Sequence, residues 1–209
     1  MRISKTETEA NRARVLEAAA RLFREKGVDG IAVAELMREA GLTHGGFYNH
    51  FQSKEELAVA AFDAAFAAAI EQLEAKVAKA GPRGRRKALD HYIERYLERD
   101  TRDRPGLSCP MATLGTDAVR HGAGLKAEFA TGVRRYLDAF ASLMPSRGTA
   151  GRREAIAMLS TLIGALTLSR GCAGADDHLA DEVLTTVREQ LTSRKKYVAS
   201  AARPSGGRR

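Results

Sequence analysis

The sequence predicts an all-α protein of about nine helices. Apolar residues recur three and four apart along most of the chain, as at Val15, Ala19, Leu22 and Phe23. No stretch alternates apolar and polar residues in the manner of a half-buried strand. Breakers fall between the periodic stretches, at Gly27, Gly41, Gly81-Pro82 and Pro145, rather than within them. There is no internal repeat and no heptad array.

The elements follow in order. A loose leader covers residues 1 to about 7, and a first helix runs from about Thr8 to Lys26, stopped by Gly27. A second uses Val33, Leu36, Met37 and Ala40 and ends at Gly41. A third short helix carries Phe47 and Phe51. Ser53 and Glu56 fit a capping box opening a long alanine-rich helix, which should continue to about Ala80 and break at Gly81-Pro82. Leu89, Tyr92, Ile93, Tyr96 and Leu97 mark a helix from Arg85 to Glu98, and residues 103–106 read as a loop. Pro110 suits a helix first turn, since its missing N–H has no intrahelical partner there. That helix should end near His121-Gly122. Another carries Leu125, Phe129, Val133, Tyr136, Leu137, Phe140 and Leu143. After a loop from Pro145 to Gly151, the stretch from Ile156 to Ser169 is apolar on two faces and so needs two packing partners. The last helix spans about Asp177 to Ser193.

The chain has 209 residues, of which 44% are hydrophobic, enough to bury a sizeable core. Its formal net charge of +8 favours a nucleic-acid partner. Six basic residues and no acidic one lie between Thr192 and Arg209, so only +2 remains for the body. That end reads as a solvated, disordered tail. Cys109 and Cys172 make no disulfide framework in a chain of this length, so reduced thiols and a cytoplasmic setting are expected. The N-terminus shows no signal peptide, and the uncharged run from Ala155 to Ser169 is too short to span a bilayer, so no membrane partner is expected.

The most informative stretch runs from Gly41 to Lys54. It reads as the turn and second helix of a helix-turn-helix. Thr43, His44, Gly45, Gly46 and Asn49 are small or polar, while Phe47 and Phe51 are of buried type. Small residues let a helix backbone approach base edges in the DNA major groove. This segment, Gly41-Leu42-Thr43-His44-Gly45-Gly46-Phe47-Tyr48-Asn49-His50-Phe51 followed by Ser53-Lys54-Glu55 and Leu57, resembles the signature of the TetR/AcrR family of transcriptional regulators. The family pattern is Gly-apolar-Ser/Thr-x-Gly-x-apolar-Tyr-x-His/Tyr-Phe-x-x-Lys-x-x-Leu. Helix order and total length also fit. Gly106 to Gly115 more weakly resembles the sixth-helix segment of one subgroup. Three positions depart from the family. Ile31 and Ala32 replace the usual hydroxyl residues before the second helix, which removes a cap, and Met37 stands where Ala is common.

The resemblance implies phosphate contacts at Tyr48, His50 and Lys54, which fix register without reading sequence. Thr43 is placed to cap the third helix and to donate to phosphate. His44, Gly45, Gly46 and Asn49 would face the bases, Asn being able to pair with adenine. The resemblance also implies a ligand pocket in the C-terminal domain, with Phe66, Tyr92, Tyr96, Met111 and Phe129 as candidate lining. The expected organisation is a DNA-binding domain at 1–52, a ligand-binding and dimerisation domain at 53–193, and a basic tail at 194–209. One helix-turn-helix makes too little contact for useful specificity, so a homodimer on a palindromic double-stranded operator is expected, paired through the last two helices.

A ligand-released repressor is the leading expectation, with a small-molecule effector. Cys109, at a helix N-terminus where the dipole favours thiolate, offers an alternative as an electrophile or redox sensor. A nonspecific DNA-coating protein is a further alternative, suggested by the basic tail. No enzymatic activity, metal or cofactor is expected: there is no phosphate loop, paired-His motif or nucleophile elbow, and the five histidines are scattered.

Overall fold

The structure is a computed structural model that describes residues 5–201, with side chains to Thr192. It is built of α-helices and two short 3-10 segments: α1 (Lys5–Lys26), α2 (Val33–Glu39), a 3-10 segment at His44–Asn49, α3 (Lys54–Tyr96), α4 (Arg99–Asp103), a 3-10 turn at Pro105–Leu107, α5 (Pro110–Arg120), α6 (Ala123–Ala141), α7 (Gly148–Cys172) and α8 (Asp177–Ala201).

Local chemistry explains the boundaries. α1 ends where Gly27 takes a φ of 77° and its N–H reaches the Phe23 carbonyl. α2 starts at Ala32 with no side-chain cap, as the missing hydroxyl predicts. It closes in a Schellman motif: the Gly41 N–H bonds to the Arg38 carbonyl at 3.0 Å and the Leu42 N–H to the Met37 carbonyl at 2.8 Å. Gly41 can occupy the required left-handed conformation, φ 69°, without steric cost. Ser53 caps α3 by accepting the Glu56 N–H at 3.1 Å. The Glu56 carboxylate answers one residue earlier than in the usual box, accepting the Gln52 N–H at 2.7 Å.

Several expectations are corrected. The third helix is a 3-10 segment, not an α-helix. The break expected at Gly81-Pro82 is present, since Gly81 has a non-helical φ of 60° and a ψ of −179°, but the next helical stretch of α3 follows directly rather than from Arg85. The loop at 103–106 holds the end of α4 and a 3-10 turn. α7 begins at Gly148, inside the expected loop, and its 25 residues make it longer than the apolar run alone suggested. By length and composition α7 could cross a membrane, and it is the one such helix among the described residues. α8 continues past Ser193 to Ala201; the rest of the expected tail, 202–209, lies outside the described residues.

Packing forms two clusters that α3 joins. Val15, Leu22, Phe23, Leu36, Phe47 and Phe51 gather around the first turns of α3, where Leu57 and Phe62 are fully buried. Leu114 of α5 and Leu125 of α6 belong to the same cluster. Farther along α3, Phe66, Ile70 and Leu73 enter a second cluster with Tyr136 and Phe140 of α6 and Leu159, Leu162 and Leu166 of α7. α3 and α6 approach closely at Gly132, where an added Cβ would lie 2.3 Å from the Phe66 ring.

Polar contacts lock the helices together. The Val28 N–H donates to Asp117 of α5 at 2.9 Å in a buried setting. Ser169 of α7 donates to the Ala180 carbonyl at 2.7 Å. Asp181 of α8 accepts from both Arg99 and Arg102 of α4.

Two outcomes test this packing. Gly132→Ala should force the Phe66 ring aside and destabilise the fold by about 1–3 kcal/mol, read as a lower thermal midpoint. Asp117→Ala should leave the Val28 N–H buried without a partner and cost about 1–3 kcal/mol in denaturant unfolding.

Candidate nucleic-acid interface

The segment His44–Asn49 is held from beneath. Phe47 and Phe51 are buried, with ring centroids 5.9 Å apart. This anchoring turns the intervening residues outward. Tyr48 is 70% exposed although its ring meets Phe47 edge-on at 5.3 Å. Thr43, His44, Gly45 and Asn49 are exposed, and Gly46, His50 and Lys54 are half-buried. All eight residues named from the sequence thus lie on one short stretch of chain and keep some surface. Thr43 departs from expectation in one respect: it occupies the N-cap position but its side chain makes no capping bond. His50 Nδ1 is buried without a hydrogen-bond partner.

The glycines are informative. A Cβ on Gly45 would meet nothing within 4 Å, and one on Gly46 would make only ordinary contacts, 3.7 Å from Met37 and from Thr43. Neither has a positive φ. The fold itself therefore does not require glycine at either position. A surface that must admit another molecule's backbone or base edge close to its own chain does.

Arginines near this surface escaped the sequence reading. The Arg12 guanidinium stacks over Phe51 at 4.7 Å from the ring centroid, and Arg14 lies beside Gly41. Arg38 is exposed in the last turn of α2. Nothing in local sequence marks Arg12, because its neighbour Phe51 is far along the chain.

A second feature is a cavity of about 280 Å³ between α1, the middle of α3, the Pro105–Leu107 turn and α6. Tyr92 and Tyr96, expected as lining, do line it. Phe66, Met111 and Phe129 are not among its walls and pack in the core instead, Phe66 against Phe129 at 5.7 Å. The sequence reading missed Arg24, Ser108 and Tyr136. Tyr136 had a signal, a phenol within an apolar stripe, whereas Arg24 comes from α1, more than 60 residues from Tyr92 in the chain.

Tyr92 and Tyr136 share a hydroxyl–hydroxyl hydrogen bond of 2.8 Å. Burial raises all three phenols above their ordinary range, so each stays protonated at neutral pH. Cys109 also lines the cavity. Burial pushes its thiol up, outweighing a neighbouring Tyr96 hydroxyl and backbone N–H groups that pull it down. This reverses the direction expected from its helix N-terminus. Less thiolate is present at a given pH, so Cys109 should alkylate with iodoacetamide at pH 7.5 at least about tenfold more slowly than free cysteine, resolved from Cys172 by peptide mass spectrometry.

Comparison with known proteins agrees with this arrangement. The family described as "Bacterial regulatory proteins, tetR family" matches residues 15–61, from the middle of α1 into the start of α3. HTH-type transcriptional regulator TtgR of Pseudomonas putida is 40% identical over 63 residues, 30% of each chain. The match thus spans less than a third of that relative's length. Over the whole fold, a TetR-family transcriptional regulator from Cytophaga hutchinsonii superposes with a TM-score of 0.70 at 21% identity, covering 92% of this chain and 98% of that one. FadR from Bacillus subtilis, solved in complex with stearoyl-CoA, superposes with a TM-score of 0.63 at 17% identity, covering 87% and 97%. Residues 15–61 thus match the tetR family of bacterial regulatory proteins in sequence, and the helices of the whole chain match solved TetR-family regulators in fold.

Proposed function

We propose that the protein is a sequence-specific DNA-binding repressor that acts as a cytoplasmic homodimer on a palindromic operator and is released by a small molecule. The observation that carries this reading is the exposed segment at 44–49 with open space above Gly45. In it, Tyr48, His50, Lys54 and Thr43 bond to phosphate, while His44, Gly45, Gly46 and Asn49 face base edges. Arg12 and Arg38 add charge beside them. The division at 52 between a reading unit and a sensing unit belongs to the same proposal.

Dimerisation is supported by the outer faces of α7 and α8. Leu168 is 63% exposed, Ile156 44% and Leu179 41%. Gly164 and Gly171 have nothing within 4 Å of an added Cβ, so a second helix could approach closely there. Pairing these faces in a four-helix bundle covers apolar surface. It also carries two recognition segments on one body, as half-sites about 34–36 Å apart demand. Ligand release requires that the effector bind more tightly to a conformation in which this spacing no longer fits.

Three measurements test the reading. Gly45→Ala should leave the unfolding midpoint unchanged or raise it, yet weaken operator binding at least about tenfold in a gel-shift titration, because only the partner is obstructed. Lys54→Ala should weaken binding to all sequences alike and reduce the slope of log K against log salt by about one. Leu168→Glu should give monomer mass in sedimentation and abolish the footprint. Equal affinity of the unaltered chain for any DNA would favour the coating alternative instead.

A further inference from the structure

The walls of the cavity beside α1 carry a consistent chemistry. Its floor is apolar, formed by Ala65, Ala69 and Leu73 of α3. One side is aromatic, with Tyr92 and Tyr96 at a centroid spacing of 5.7 Å and Tyr136 bonded to Tyr92. The other side is basic: Arg24 is joined at the rim by Lys76, His91 and Arg95, and no aspartate or glutamate lines the space. Arg95 is paired with Glu98 at 2.7 Å, but Arg24 takes part in no ion pair among the described residues. Arg24 bonds instead to two carbonyls, from Nε to Ala20 at 2.7 Å and from Nη1 to Ser108 at 3.1 Å. Within the aromatic wall, the Tyr96 hydroxyl is buried on a residue only 6% exposed, with the Cys109 thiol as its one polar neighbour and no oxygen or nitrogen partner.

We infer that this chamber binds a small aromatic carboxylic acid as its anion, with Arg24 as the anchor, the Tyr96 hydroxyl as a second donor and the tyrosine rings as the stacking wall. The inference rests on the effector-release reading above and deepens it by naming the ligand class. Each feature selects against an alternative. A cation would meet guanidinium and ammonium groups with no carboxylate to balance it. A neutral apolar ligand would leave Arg24 without an ion-pair partner in a partly desolvated site. Burial lowers the proton affinity of Arg24 from its ordinary value, the mark of a cation short of solvation that an anion would relieve. The phenols, held protonated by burial, can donate. Charge-assisted bonds from guanidinium to carboxylate are the stronger kind.

The position of the anchor explains how such a ligand could be felt by DNA. Arg24 sits on α1, packed in the same cluster as the recognition segment, and its Nη1 ties α1 to the Ser108 carbonyl. From the other side, Arg170 of α7 donates to Ser108 Oγ at 2.6 Å. A carboxylate on Arg24 competes with the Ser108 carbonyl and so acts on the joint between the reading helices and the proposed dimer helix.

The test is calorimetric titration of the full chain, without DNA, using 2-naphthoate, 2-naphthamide and 2-naphthylmethylammonium. The expected result is one naphthoate bound per chain at least tenfold more tightly than the amide, with no binding of the ammonium. Arg24→Gln should lower naphthoate affinity at least tenfold and leave the amide within threefold, while Arg24→Lys restores part of the preference. Thermal unfolding checks each variant. Should Arg24→Gln not fold, Tyr96→Phe, which keeps the ring, should still weaken naphthoate several-fold more than the amide. Equal affinity for acid and amide, equal loss of both in Arg24→Gln, or no naphthoate binding at millimolar concentration would overturn the inference. Because DNA is absent, naphthoate binding by a chain that gives no footprint sinks the regulator reading alone. A footprint released equally by acid and amide sinks the ligand class alone.

Discussion

α3 belongs to two hydrophobic clusters at once, and this shared membership ties the DNA-facing surface to everything behind it. Leu57, Ala61 and Phe62 complete the cluster that seats Phe47 and Phe51. One turn later Phe66 enters the second cluster, against Phe129 and Gly132 of α6. Leu57, Phe62 and Phe66 are all fully buried. A close-packed interior does not deform smoothly, so a rotation of α3 in one cluster must be matched in the other. The recognition segment is only six residues long and has no internal means of holding its orientation. It inherits that orientation from two aromatic anchors and, through them, from α3.

The polar contacts between α1 and α5 add a second tie of a different kind. Hydrophobic burial is nondirectional, so it does not by itself set how far α1 slides along its neighbours. The Asp117 carboxylate receiving the Val28 N–H, and the Ser108 carbonyl receiving Arg24, do set it. Both acceptors flank or lie within α5, and both donors lie at or just beyond the C-terminal turn of α1. A ligand reaching this joint has leverage on the N-terminal unit with little displacement. Arg170 extends the same set of bonds to α7 through the Arg102 and Thr101 carbonyls and Ser108 Oγ.

Much of the fold was legible because it is written in local periodicity and breakers. Gly27, Gly41 and the Ser53 cap each end or begin an element where the sequence placed them. Helix α5 runs from Pro110 to Arg120 as its proline and apolar spacing indicated. The misreadings have physical causes. Arg99–Asp103 is too short and polar to show periodicity, and it is held by Arg102 against Asp181, which is 79 residues away. The helix expected from Arg85 begins earlier, because Pro82 can stand in a new first turn directly after Gly81 breaks the helical geometry. The family motif marked the exposed residues of the recognition segment, and all keep some exposure. The cavity was read less well. Tyr92 and Tyr96 stand on one helix and share a face, but Arg24 and Tyr136 join them only through tertiary packing. Phe66 and Phe129 looked like lining because size and apolarity do not distinguish a wall from a core.

Charge raises a further point about specificity. Much of the formal +8 lies in the last 18 residues, leaving the body near balance. Electrostatic attraction to phosphate acts on any DNA sequence, so a strongly basic body would hold the protein on nonspecific sites and dilute the operator. A nearly balanced body leaves discrimination to a few groups that must fit a groove. In the proposed reading Gly45 and Gly46 are where that fit is most exacting, because among the described residues no atom fills the space above Gly45 and only ordinary contacts lie near Gly46. Glycine there costs helix stability and returns nothing to the fold. The proposed approach of a base edge to the segment would account for it.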